Sequence, residues 1–252
     1  MCGRFVIAGS KADVLATFDI DEAPDHDIRA SWNVAPTDAV SVVVERLDPD
    51  TGELTRRLET ARWGLVPSWA KSPAVGSRMI NARSETVLEK PSFRSAALRR
   101  RGLVPANGYY EWRKNPNGSK TPVYLHAEPE SAQLAFAGLY EFWRDPAAPS
   151  GGDPSWLMTC TIITRPASDA LGSIHDRTPV IVPPNLFGEW LDPKNASKSK
   201  VQHLLDSIPD PTLVPRVVGS RVGSVRNNGP DLIEPEPEPG SLESKGTAAT
   251  LL

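Results

Sequence analysis

Residues 101–112 read RGLVPANGYYEW. β-Branched and aromatic side chains suit a pleated, half-buried surface. Gly, Pro and Asn bound the stretch as turn formers, so it predicts strand. The same signature recurs outward along the chain in TPVYLHAE (121–128), QLAFAGLYEFW (133–143) and SWLMTCTIIT (155–164), and again in TPVIV (178–182) and LVPRVV (213–218). Nearer the N-terminus, VSVVVER (40–46) and ELTRRLET (53–60) flank LDPDTG, whose Pro49 and Gly52 predict a hairpin turn. Apolar spacings of three and four predict helices in KADVLATF (11–18), SFRSAALRR (92–100), NLFGEWL (185–191) and KSKVQHLLDSI (198–208). Strand signals outnumber helical ones, and no internal repeat is present. The expected fold class is α+β: a single β-rich domain of mixed sheets with a few packed helices.

The expected domain spans 2–234. From about 235 the chain reads PEPEPGSLESKGTAATLL, an acidic, proline-rich composition without aromatics that predicts a disordered tail over 235–252. RDPAAPSGGDP (144–154) predicts a surface loop inside the domain. A chain of 252 residues can bury a core without staples. Cys2 and Cys160 supply neither a disulfide framework nor a CxxC pattern. His26, His126, His175 and His203 lie too far apart for HxH or HExxH spacing, so neither metal nor organic cofactor is expected. Residues 1–10 hold no apolar signal core, and no segment approaches the roughly 18 apolar residues of a membrane span. With reduced thiols, this predicts a cytoplasmic protein that does not contact membranes.

The net charge of −3 misleads about partners, because residues 234–252 carry four glutamates and one lysine. The remainder is close to neutral, with more arginine than lysine. Arginine's planar fork suits phosphate, although a GC-rich genome gives the same bias. Charge therefore neither proves nor excludes a DNA partner.

The chain opens MCGRF. Removal of Met1 would leave an α-amine and a thiol on one residue, with reference pKa values of about 7.7–8.0 and about 8.5. The competing reading of Cys2 is a small buried residue. Other stretches carry more polar function than a core strand needs. WNVAPT (32–37) and WGLVPSWA (63–70) place Trp32, Trp63 and Trp69 beside prolines. INARSET (80–86) puts Asn81 and Arg83 on one face if extended, although Asn81 also suits an N-cap to a helix in SETVLE. GYYEW (108–112) sets Glu111 among aromatics, where an edge-strand glutamate is the plain alternative. ITRPA (163–167) and SIHDRTPVIV (173–182) bring Thr164, His175 and Arg177. Singly, His175 reads equally as a satisfied loop histidine and the tryptophans as core.

Taken together and in order, MCGRF, WNVAPT, WGLVPSWA, INARSET, PANGYYEW and IHDRTPVIV resemble the SRAP family, the SOS response-associated peptidase-like proteins. The resemblance runs from Cys2 to about residue 235. It implies an N-terminal nucleophile, Cys2, that crosslinks to abasic sites in single-stranded DNA, with Asn81, Glu111 and His175 as its catalytic companions. It also implies phosphate contacts from Arg4 and Arg83, assisted by Arg177. Asp176 after the histidine departs from a frequent family pattern. Trp32 and Trp69 are candidates to stack on bases, and Thr164 completes the candidate DNA-facing set. A monomer is expected, with replication machinery as a candidate partner.

The chemistry fits these residue types. An amine condenses with the open-chain aldehyde of an abasic sugar, and an adjacent thiol closes a five-membered thiazolidine. Tethering makes closure intramolecular, where effective molarities reach about 10⁵–10⁸ M. Glu111 suits the base that deprotonates the amine, and burial among aromatics is expected to raise its pKa. His175 suits the acid that opens the sugar ring, and Asn81 can orient Cys2 or the sugar. Two other classes compete: a cysteine peptidase built on Cys2, His175 and Asn81, and a non-covalent binder of single strands or modified bases.

Overall fold

Asn107 divides the stretch 101–112 into two strands that join different sheets. Its Oδ1 accepts from the N–H groups of Ala8 (2.7 Å) and Gly9 (3.2 Å), and its own N–H donates to Val6 O at 2.8 Å. The corner is thereby tied to the N-terminal strand. The computed structural model describes residues 2–146 and 156–237.

The strands run β1 (Phe5–Ile7), β2 (Ser31–Val34), β3 (Ala39–Leu47), β4 (Leu54–Trp63), β5 (Asn81–Arg83) and β6 (Arg101–Ala106). They continue with β7 (Gly108–Lys114), β8 (Lys120–His126), β9 (Leu134–Arg144), β10 (Trp156–Pro166), β11 (Arg177–Pro179) and β12 (Val214–Val217). Five helices accompany them: α1 (Lys11–Phe18), α2 (Arg94–Arg99), α3 (Asp169–Gly172), α4 (Phe187–Leu191) and α5 (Lys198–Ser207).

One sheet has the order β12-β8-β7-β1-β2. In the other, β10-β4-β3-β6-β9 closes on itself because β9 pairs back with β10, which makes a five-stranded barrel. Closure removes the free edges that a strand ladder otherwise exposes. The long strand β10 serves as the backbone of the site. Its first half pairs with β4 and β9, and its second half with β5 in parallel and β11 antiparallel.

Alternation along β1 and β7 splits their side chains between two faces. Phe5 and Tyr109 face the barrel core, where Phe5 meets Trp63 edge-on at 5.1 Å and Phe136 at 5.9 Å. Val6 and Tyr110 face away and pack with Tyr124 and Val222. Burying a phenylalanine such as Phe5 is worth about 1.5–3 kcal/mol, so the N-terminal strand is anchored from both sides.

Gly64 follows β4 at φ +131°, and a Cβ there would lie 2.5 Å from Gly76 O. This close approach seats the turn Pro73–Arg78 against the barrel. Trp63 Nε1 then donates to Ile80 O at 2.9 Å and delivers the chain to β5. Asn81 therefore lies in a strand, and Ser84–Lys90 folds as hydrogen-bonded turns instead of the helix that an N-cap reading requires. TPVIV is extended as β11 only at its start, and NLFGEWL begins with a 3₁₀ turn over Pro184–Leu186. The predicted tail beyond 237 and most of the predicted loop at 144–154 lie outside the described residues.

Candidate active site

Four short segments meet where β1 begins. Tyr110 N–H donates to Arg4 O at 3.0 Å, so residues 2–4 run beside β7. Cys2 is wholly buried there, and burial followed by the Glu111 carboxylate pushes its thiol well above its ordinary value. Glu111, two residues from Tyr109, emerges on the same strand face. It is 3% exposed, and burial raises its carboxyl to about 7. Asn81 Nδ2 donates to Cys2 O at 2.8 Å, while its buried Oδ1 has no hydrogen-bond partner among the described residues. A buried, unused acceptor is costly in a folded protein, so it marks a place where a ligand donor fits.

His175 approaches from the turn between α3 and β11, its Nε2 3.9 Å from Glu111 Oε2. Two groups compete at its Nδ1: Arg177 N–H at 3.0 Å, which needs an acceptor, and Asp176 Oδ1 at 2.8 Å, which favours a protonated ring. Burial, the largest cause, lowers the His175 pKa, and Asp176 is 85% exposed, where water weakens its pull. The neutral ring therefore prevails, with Nδ1 accepting and the Nε2 proton facing Glu111. A neutral imidazole that holds a proton beside a carboxyl near neutrality can move protons in either direction.

The residues expected to face DNA divide into two groups. Arg83 on β5 and Trp69, 65% exposed, present open side chains. The others are engaged within the fold. Arg4 donates to Asn33 Oδ1 and Val222 O, both at 2.9 Å, and the half-buried Trp32 side chain packs against the cluster of Val6, Tyr110 and Tyr124. Thr164 is buried, and its carbonyl accepts from Arg177 Nη2 at 2.6 Å. Arg177 also holds both carboxylate oxygens of Glu85, whose pKa this contact lowers to about 2. Among the described residues no group of three His, Cys, Asp or Glu is gathered for a metal, and no helix is long and apolar enough to cross a membrane.

Residues 1–225 match the family model described as SOS response associated peptidase (SRAP). The chain belongs to the SRAP family. It is similar to the abasic site processing protein YoqW of Bacillus subtilis (strain 168), at 40% identity over 93% of this chain and 99% of that protein. The abasic site processing protein HMCES of Gallus gallus is 31% identical over 88% of this chain and 71% of its own. A crystal structure of a Bacteroides thetaiotaomicron protein shares the fold, with TM-score 0.73 and 22% identity over 93% of this chain and all of that one. Three residues at this SRAP site do not stand out in the sequence. Tyr109 and Thr178, both buried, bond hydroxyl to hydroxyl at 3.0 Å and bridge β7 to β11. Glu85 anchors Arg177. The available signal was spacing, since Tyr109 precedes Glu111 by two residues and Glu85 follows Arg83 by two.

Proposed function

We propose that this SRAP protein captures abasic sites in single-stranded DNA covalently through Cys2, exposed as an N-terminal aminothiol by removal of Met1. The observation that carries the reading is the grouping of buried Cys2 and Glu111 with half-buried Asn81 and His175, on four separate segments. The names of its relatives point to the same lesion.

Asn81 fixes the Cys2 carbonyl and so sets where the residue's amine and thiol project. Glu111, raised to about 7, takes a proton from the α-ammonium. His175 gives its Nε2 proton to the sugar ring oxygen as the hemiacetal opens to the aldehyde. The amine lone pair attacks the aldehyde carbon, and loss of water gives the imine. The thiol, kept neutral by burial, passes its proton to the reactivated base as sulfur attacks the imine carbon. The nitrogen gains a proton, and the thiazolidine ring is complete without an oxidant or reductant. Closing the ring removes the imine that would otherwise favour strand-cleaving elimination. The same carboxyl and imidazole serve to release Met1 by directing a water onto the Met1–Cys2 peptide bond, which yields free methionine and the Cys2 α-amine.

The test is incubation with a single-stranded oligonucleotide carrying one abasic site, followed by a denaturing gel and intact-mass measurement. A heat-stable band whose mass equals protein lacking Met1 plus DNA minus water supports the reading. Wild-type-like yield from Cys2→Ser would refute it.

A further inference from the structure

Glu111 stands on β7 and His175 leads into β11, yet these two strands belong to different sheets. β7 pairs with β1 and β8, whereas β11 pairs with β10, so among the described residues no backbone ladder sets their spacing. The 3.9 Å between His175 Nε2 and Glu111 Oε2 exceeds a hydrogen bond, so that contact does not itself fix the separation. The turn that carries His175 is tied to the barrel side. His175 N–H donates to Leu171 O at 3.0 Å, and Ala167 N–H donates to Asp176 O at 2.9 Å. Neither bond reaches β7.

A pair of side chains does. Tyr109 precedes Glu111 by two residues on the same strand face, and Thr178 follows His175 by three. Their hydroxyls lie 3.0 Å apart and both side chains are buried. The Thr178 hydroxyl faces Pro179 O as a donor at 3.4 Å, which leaves its lone pairs to accept from Tyr109. Burial pushes the Tyr109 hydroxyl above its ordinary value, and Cys2 and Glu111 add to the rise. This end of the bridge is therefore a protonated donor beside the reacting groups.

Core packing alone does not call for these hydroxyls. The Tyr109 ring meets Phe136 edge-on at 6.0 Å, a contact that phenylalanine would keep, and valine would fill the space of Thr178. Replacing both partners of a buried hydrogen bond by apolar groups of the same shape is nearly neutral for stability. What the hydroxyls add is direction, because a hydrogen bond holds only over a narrow range of distance and angle. We propose that the Tyr109–Thr178 bridge is a clamp that sets where His175 stands relative to Glu111. Both are then positioning residues for the proton transfer that opens the abasic sugar, an assignment that rests on the proposed abasic-site function.

The test removes both hydroxyls and keeps the shape, in Tyr109→Phe/Thr178→Val. This variant should melt near wild type and react almost normally with a simple open-chain aldehyde, which needs no ring opening. Its adduct formation at a closed abasic sugar in single-stranded DNA should slow about tenfold, since misplacement by about 1 Å can cost about 10²-fold. In a His175→Ala background the same two substitutions should cost nothing further, because residues that act as a unit are not additive. Thr178→Ser, which keeps the hydroxyl, should retain most of the rate that Thr178→Val loses. That comparison decides the matter if the paired variant melts early. The NMR signals of the His175 imidazole need no substrate, and they should move in the paired variant but hold in Thr178→Ser. Equal slowing on both aldehydes, a full further loss on top of His175→Ala, or unmoved imidazole signals would overturn the clamp. If wild-type protein forms no adduct with abasic DNA, the abasic-site reading fails, and the imidazole signals still decide the clamp.

Discussion

Glu111 and His175 face one another at 3.9 Å, yet their environments suit them to different proton transfers. The Glu111 carboxyl titrates at about 7 because it is buried, so its base form grows as pH rises through neutrality. Adduct formation by the wild type should therefore increase between pH 6 and 8. Glu111→Gln should lose about 10²–10⁴ in rate at pH 6, with partial recovery above about pH 8 as the amine deprotonates in solution. Single-turnover kinetics across pH checks both statements. His175→Ala should be slow on the closed abasic sugar but nearly normal on a simple open-chain aldehyde, which needs no ring opening. Equal losses on both aldehydes at every pH would mean that the two residues jointly shape the site.

At the scale of elements, Glu85 and Arg177 fasten the turn after β5 to β11. The Arg177 backbone N–H also sets the His175 tautomer. The folded Glu85 pKa lies below its unfolded value, so the pair stabilises fully above about pH 4.3 and loses its effect as pH falls through about 2. Because Glu85 is 45% exposed, screening limits Glu85→Gln to about 0.5–1 kcal/mol of stability at pH 7. Thermal melts should show that difference at pH 7 and almost none near pH 2. Gly64→Ala is harsher. A Cβ 2.5 Å from Gly76 O at φ +131° should cost about 1–3 kcal/mol, and the shifted turn should misplace Asn81. Melting and adduct rate should fall together in that variant.

These elements also show what the sequence could reveal. The β3–β4 hairpin was legible because nine consecutive residue pairs alternate across a turn with Pro49 and Gly52. In contrast, β5 is three residues long, too short for any periodicity, and it exists because β10 supplies a ladder. Its neighbours Ser and Glu mimic a helix start, so Asn81 was ambiguous until Trp63 and Gly64 were seen placing it. Cys2, Glu111 and His175, which the fold brings together, stand out within their own stretches, whereas Tyr109, Thr178 and Glu85 make contacts distant in sequence. Arg4 shows the converse. Its chemistry suggests phosphate, while its bonds to Asn33 and to the carbonyls of residues 222 and 223 join segments far apart in sequence that no spacing announces.

For the whole molecule, the closed barrel and the five-stranded sheet bring the N-terminus, β5, β7 and β11 to one place while Cys2 remains wholly below the surface. On the proposed function, an abasic sugar must come down to Cys2, because β1 is anchored on both faces. In an intact duplex that movement requires unstacking, at a few kcal/mol. A single strand can bend in with little such cost. Under the same proposal the 65% exposed Trp69 is the surface on which a displaced base stacks, worth about 1–3 kcal/mol. Arg83, exposed on the strand that carries Asn81, can hold a phosphate while the sugar enters. Adduct formation at a single-stranded abasic site should thus exceed that at the centre of a long duplex by at least about tenfold. Arg83→Ala should lower the salt slope of binding by about 0.7, one single-strand phosphate. Its effect should not depend on the flanking sequence, because phosphate contacts carry no sequence information. Parallel rate measurements on single-stranded and centrally placed duplex sites decide the matter, and equal rates would mean that the lesion reaches Cys2 without leaving the stack.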